Sequence, residues 1–406
     1  MRASRRRSRA LVALSVTAAL MAAGCGSSGD SSSDTTAASS GGAATTAASG
    51  GAETTAAGGA ATSAAAAAGG DLTALVDEAK KEGKVNLIAL PDAWANYKGI
   101  LQSFGDKYGI DHPVTNPDGS SADELTAVKT LKGQADQPDS IDVGPPFALQ
   151  AKDEGLWEPY KATTWDEVPD ALKDPDGNWV GAYYGIMALG ANDTLVKNPP
   201  QTFADLKKPE YKGQVALNGD PREAGAAFAA VMAASLANGG SFDDIMPGIQ
   251  FFKDLKDSGN FIPTQVTEAT VLSGETPIAL DWTYNYPGLQ QKLKDAGINM
   301  NVVVPSDGVY GSYYAQGVVK DSPHPNAGKL WVEHILSDDG ALGYLEGGAV
   351  PARYAALVAA GKVTDDLKKN LPDPELIKQI KFPSADQIDK AKQVLTENWG
   401  PMVAGN

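Results

Sequence analysis

Residues 278–287 read IALDWTYNYP, and much earlier in the chain residues 88–97 read IALPDAWANY. Both open on the same apolar triplet and then release an Asp, a Trp, an Asn and a Tyr within a few positions. An apolar run this short, bounded by polar residues, reads as a buried strand ending in a loop. Around the earlier copy, LTALVDEAKKEG sets Leu72, Leu75, Val76 and Ala79 on one face and stops at Gly83, the pattern of an amphipathic helix with a glycine terminator. KVNLIAL then forms a strand. ANYKGILQSFGDKYG returns to helix with Tyr97, Ile100, Leu101, Phe104 and Tyr108 along one stripe. A helix over 122–133, the strand SIDVG and a helix through FALQAKDEG complete a first series. The apolar WVGAYYGIMALGAND reads as a crossover into a second one. That series comprises strand GQVALN, helices PREAGAAFAAVMAASLANG and DDIMPGIQFFKDLKDSG, a helical piece at QVTEATVLSGE and strand TPIALDW. INMNVVVPSDGVYGSYYAQGVVK supplies strands crossing back, and the remainder is helical. Strand–helix alternation of this kind predicts an α/β fold with mostly parallel, doubly wound sheets covered on both faces.

At 406 residues the chain exceeds one compact core, so two lobes are expected. Its formal net charge of -16 repels phosphate backbones and anionic headgroups, which argues against a nucleic-acid partner. Five positive charges (Arg2, Arg5, Arg6, Arg7 and Arg9) precede the apolar run ALVALSVTAALMAAG, and the only cysteine, Cys25, follows it. The run is too short and wrongly flanked for a membrane span, and residues 1–24 read as an export signal peptide. A lone cysteine at the cleavage point reads as a lipidation site. Ala23 and Gly24 fit the bacterial lipobox, while Ala22 stands where Leu is commoner. Residues 26–70 are Gly, Ser, Thr and Ala with almost no charge. Such a segment buries too little apolar surface to fold, and 25–70 is expected to be a disordered tether spanning roughly 35–40 Å.

Five stretches, in this order, carry a family resemblance: AKKEGKVNLIAL, DVGPPFALQAKDEGLWEPY, VKNPPQTFADLKKPEYKGQVAL, SGETPIALDWTYNYP and VVKDSPHPNAGKLWVEHILSDDG. From about Leu72 to Pro351 the chain resembles the extracytoplasmic substrate-binding proteins of ABC importers, in the branch covering ferric iron, polyamines, thiamine and aminoalkylphosphonates. The resemblance implies a type II periplasmic-binding-protein fold of two α/β lobes joined by crossing strands. Its boundaries fall at 71–188 for the first part of lobe I, 189–302 for lobe II, and 303–406 for the return to lobe I and the C-terminal helices. It implies a small-molecule ligand in the cleft, ABC permease subunits as partners, no cofactor and no catalysis. A monomer held on the extracytoplasmic face of the membrane by its lipid anchor is expected. A ligand-binding module feeding a sensor uses the same fold and stays open as an alternative.

In an open α/β sheet, ligands lie beyond the carboxyl ends of strands. On the implied fold, Asp281, Trp282, Tyr284 and Asn285 leave a strand of one lobe, and four polar or amphipathic residues there make poor core material. Asp92 and Trp94 leave the first strand of the other lobe. Asp92 reads equally as a helix cap, and either tryptophan equally as core. Carboxylates and aromatic faces around one volume suit an ammonium group. Other residues point to an anion. Ser120 and Ser121 open a helix in NPDGSSADEL, and Arg222 in GDPREAGAAF offers a bidentate partner, each against the plainer reading of a helix cap. Asp142 ends the strand SIDVG and divides between ligand contact and structure.

Ferric-binding members of the family carry adjacent tyrosines just after the strand matching PIAL. Here the chain reads TYNY: Tyr284 matches one position, Asn285 replaces the other, and the dyad is not reproduced. No His or Cys spacing suggests zinc. No phosphate loop, nucleophile elbow or HExxH motif suggests an enzyme. The expected cargo is a small amine-bearing molecule, a polyamine or an aminoalkylphosphonate-like zwitterion, with ferric iron or a small organic anion as alternatives.

Overall fold

Residues 72–405 are described by a computed structural model. Residues 1–24, expected to be a signal peptide, and Cys25 with the expected tether to residue 70 lie outside the described residues. Helix α1 (Thr73–Glu82) ends at Gly83, whose φ of 72° gives the left-handed terminator that the sequence requires. Helix α2 (Tyr97–Tyr108) buries Tyr97, Ile100, Leu101, Phe104 and Tyr108, the stripe expected from its periodicity. Between them, β1 (Leu87–Ile88) is shorter than KVNLIAL suggests and pairs in parallel with β2 (Val114–Thr115).

Helix α3 (Ser121–Thr130) leads to β3 (Ser140–Val143), and α4 (Pro145–Asp153) to β4 (Trp157–Glu158). Strand β5 (Val180–Asn192) is buried along nearly its whole length, as a strand covered on both faces must be. Then come β6 (Val215–Leu217), α5 (Gly225–Ala237), α6 (Met246–Ser258), α7 (Glu268–Ser273), β7 (Ile278–Trp282) and α8 (Asn285–Asp295). The chain returns through β8 (Met300–Val303) and β9 (Gly311–Val319) to α9 (Pro325–Leu336), α10 (Asp338–Glu346) and β10 (Val350–Pro351).

The main strand order is β3-β9-β5-β7-β6. Val180 to Ile186 of β5 pair with β9, and Met187 to Ala191 pair with β7. One continuous strand therefore passes from one half of the molecule into the other. The expectation of a mostly parallel sheet is corrected here. Strands β5 and β9 run antiparallel to every neighbour, and among the described residues only β1–β2 and β6–β7 are parallel named pairs. The cause is topological, because strands that cross back between lobes run against those they join.

Candidate functional site

A cavity of about 130 Å³ lies where the carboxyl ends of β1, β3, β6 and β7 converge. One wall begins at the loop between β1 and α2. Ala89, Ala95 and Asn96 all take positive φ there (56°, 46° and 64°), a conformation costly for non-glycine residues. The Asn96 side-chain amide donates to the Gly343 carbonyl at 3.0 Å. A side chain at Gly347 would stand 2.5 Å from the Ala95 carbonyl carbon. These contacts hold the bend that turns Trp94 onto the cavity wall. Asp92, two residues earlier, is exposed and off that wall, so the structure places it neither against a ligand nor as a side-chain cap of α2.

Asp142 is the centre of this wall. It is buried, and its Oδ2 accepts the hydroxyls of Tyr97 at 2.6 Å and Tyr183 at 2.9 Å. The Trp94 indole N–H donates to that same Tyr183 hydroxyl at 2.7 Å, so tryptophan, tyrosine and carboxylate form one relay. The other oxygen, Oδ1, has no hydrogen-bond partner. Burial pushes the Asp142 carboxyl up to about 7 against the pull of the two phenol donors. Glu124 stands beside it: its Oε2 accepts the Asp142 backbone N–H at 2.8 Å. Burial first, and then the Asp142 charge, hold the Glu124 carboxyl well above the usual range.

Asp281 faces from the opposite side, at the end of β7. Its Oδ1 accepts the Trp282 backbone N–H at 2.8 Å and the Asn285 amide at 2.9 Å, while Oδ2 accepts the Asn218 amide at 3.2 Å. Burial raises this carboxyl to about 6 against the pull of these donors, which favour its charged form. Asn285 Oδ1 is buried without a partner. Gly225 and Ala226, at the start of α5, complete the wall with Tyr286 and, from β9, Tyr314. Among the described residues no Lys, Arg or His lines the cavity, and five carboxyl side chains do: Asp118, Glu124, Asp142, Glu268 and Asp281.

The two walls touch. The Ala122 N–H donates to the Glu223 carbonyl at 3.1 Å. Gly144 and Gly225 approach so closely that a Cβ on Gly144 would lie 2.8 Å from the Gly225 Cα. The walls are thus in direct contact beside the cavity.

Of the residues singled out from sequence, the cavity brings together Trp94, Ser120, Ser121, Asp142, Asp281 and Asn285. Ser120 is at the same time the cap of α3, its Oγ accepting the Asp123 N–H at 3.2 Å. Ser121 Oγ accepts the Gly144 N–H at 3.1 Å. Trp282, Tyr284 and Arg222 are not on the wall. Trp282 follows Asp281 on a strand, where successive side chains point to opposite faces, and it is buried in the core. The Tyr284 ring lies on β5, where a Cβ at Gly185 would meet it at 2.5 Å, and supports Trp94 edge-on at 5.6 Å. Arg222 forks onto Asp220, two residues away, with contacts of 2.7–3.2 Å. Sequence reasoning missed Glu124, Asn218 and Tyr314 on the wall. Asn218 follows β6, where the strand-end rule pointed. Glu124 had its own signal, an acid at a core position of the stripe Ser121, Glu124, Leu125, Val128. Among the described residues no cluster of three or more His, Cys, Asp or Glu is placed to hold a metal ion.

Comparison with known proteins adds three findings. The family profile described as bacterial extracellular solute-binding protein matches residues 136–390. In sequence, the chain is 23% identical over 327 residues to the spermidine/putrescine-binding periplasmic protein of Escherichia coli, covering 77% of this chain and 90% of that one. It is 25% identical over 202 residues to iron uptake protein A1 of Synechocystis, covering 47% and 54%. In structure, it matches the periplasmic binding protein AfuA of Actinobacillus pleuropneumoniae, solved with fructose-6-phosphate, with a TM-score of 0.63 and 20% identity over 79% of this chain and 99% of that one. At that identity the structural match speaks to the fold alone.

Proposed function

The chain belongs to the bacterial extracellular solute-binding protein family, and on that premise we propose that its cargo is a compact cation bearing at least one ammonium group. It is a substrate-binding protein of the ABC-importer kind, with the type II periplasmic-binding fold and an extracytoplasmic place of work. One observation carries the ligand reading. Asp142, on a wall that among the described residues holds five carboxyl groups and no basic side chain, is buried with its Oδ1 unpartnered. Buried polar atoms without partners are costly, and the atoms left over here, Asp142 Oδ1 and Asn285 Oδ1, both need donors. A ligand rich in N–H groups supplies them, with Trp94 and Tyr314 as π-faces beside the charge.

Size narrows the class. A cavity of about 150 Å³ holds a benzene-sized guest, so about 130 Å³ suits roughly six heavy atoms, the size of putrescine. The polyamine-binding relative in Escherichia coli supports this reading. A second reading, an aminoalkylphosphonate-like zwitterion, uses the same carboxylates and sets its acid against the start of α5, which has no side-chain cap. We propose further that β5 and β9 carry the hinge, that Cys25 anchors the protein by lipid, and that the cargo leaves chemically unchanged for a permease. The shift of β5 pairing at Ile186–Met187 supports a lobe boundary near 188.

A thermal-shift panel on the full chain tests the cargo. A ligand at a hundred times its Kd adds about 2.7 kcal/mol of stability. Putrescine and related small amines are expected to raise the transition. If ferric salts or sugar phosphates raise it and amines do not, the assignment of an ammonium-bearing cargo is wrong.

A further inference from the structure

Glu124 has no role in the family resemblance, yet it is among the most buried acids of the chain, 1% exposed, and it lines the cavity. Its Oε2 accepts the backbone N–H of Asp142, itself 4% exposed. Two buried acids thus meet through the Asp142 backbone N–H, while the Asp142 carboxyl itself is held by the Tyr97 and Tyr183 hydroxyls on Oδ2 and by nothing on Oδ1. The groups around them are hydroxyls and further acids: Tyr97 from α2, Tyr183 from β5, Tyr314 from β9 and Tyr344 from α10, with Asp123 on the same helix and Asp281 across the cavity. Among the described residues no Lys, Arg or His lines this cavity. Neighbouring carboxylates taken out of water with no cation beside them do not both ionise cheaply, and such a pair titrates as a unit.

We propose that one of the two buried acids, Glu124 or Asp142, retains a proton while the cavity is empty and that this proton goes to solvent when a cationic ligand enters, so that capture is linked to proton release. The inference rests on the cationic reading above. The balance is simple: the protonated pair and the cation give the ionised pair with the cation bound, plus one solvent proton. The ligand's charge replaces the proton's. Raised pH then favours capture, and acid favours release. Glu124 acts through Asp142 and is a positioning residue, tuning how much charge the cavity presents at a given pH.

Two arms test this on the full chain. The first uses no ligand. A carboxyl whose folded pKa lies above its unfolded value holds an extra proton when folded, so stability falls as pH rises between those values. The denaturation midpoint of the empty protein is expected to fall from about pH 5 to about pH 8, and to fall less in Glu124→Gln, whose amide oxygen can still accept the Asp142 N–H. In the second arm, putrescine is titrated calorimetrically in two buffers of different protonation enthalpy. About one proton should leave per putrescine bound, with affinity tightening about tenfold per pH unit between roughly pH 5 and 7. Glu124→Gln should flatten that slope. Tight putrescine binding that is independent of pH and releases no proton overturns the inference and leaves the cationic reading standing. A wild-type midpoint that does not fall, or that Glu124→Gln does not alter, also overturns it. No putrescine binding at any pH overturns the cationic reading and the linkage with it, whatever the first arm shows.

Discussion

Asp142 and Asp281 occupy matching places on opposite walls, each near the end of a strand and each buried, yet their surroundings differ in kind. Asp281 is held by three N–H donors, from Asn218, Asn285 and the backbone of Trp282. Asp142 is held by two phenol hydroxyls on one oxygen and by nothing on the other. The donors around Asp281 already do part of what a cation would do. One wall is therefore prearranged, and the other waits for charge. The difference teaches where binding free energy is concentrated: on the unfinished carboxylate, with the finished one setting position.

The sharpest way to break this contrast is Asp142→Asn. Losing one member of a buried charge pair costs on the order of 2–5 kcal/mol, so small-amine affinity measured by calorimetry should fall by at least about 30-fold. Next comes the contact between the walls. Gly144→Ala places a methyl 2.8 Å from the Gly225 Cα, and overpacking of that kind costs about 1–3 kcal/mol. Affinity should drop, and small-angle scattering should show a larger radius of gyration in the presence of amine than wild type gives. Asp281→Asn should cost less than Asp142→Asn, about tenfold, because hydrogen bonds to a charged group contribute about 1.5–3 kcal/mol and a neutral amide keeps part of that. An equal or greater loss at Asp281 would reverse the assignment of the two walls. Arg222→Ala should have the smallest effect, with affinity changed by about twofold or less, since the guanidinium is committed to Asp220 away from the cavity. A large loss there would point to an anionic cargo.

Local periodicity carried much of the fold. The α2 stripe and the terminators Gly83 and Gly109 are written in spacing alone, and the buried β5 announces itself as an unbroken apolar run. Strand direction was not legible, because the antiparallel pairing of β5 with β9 joins residues far apart in the chain and no local pattern encodes it. The site was half legible for the same reason. The strand-end rule found Asp142, Asp281 and Asn285, but could not separate Asp281 from Trp282 without strand alternation to decide which one faces in. Asp92 and Trp94 were distinguished only by the left-handed turn at Ala95–Asn96, a backbone conformation that alanine does not advertise. The two stretches IALPDAWANY and IALDWTYNYP therefore meet at one cavity, to which the first contributes Trp94 and not Asp92. Trp94 is the contribution of that stretch, and Asp142, from a different strand, is the acid that faces Asp281.

The most direct measurement is a crystal structure of the protein grown with putrescine. The account predicts an ammonium nitrogen within hydrogen-bonding distance of Asp142 Oδ1, the Trp94 ring beside it, and the Asp281–Asn285 pair at the other end of the ligand. A diamine bound elsewhere, or an anion seated at the start of α5 with Asp142 Oδ1 still unpartnered, would contradict it.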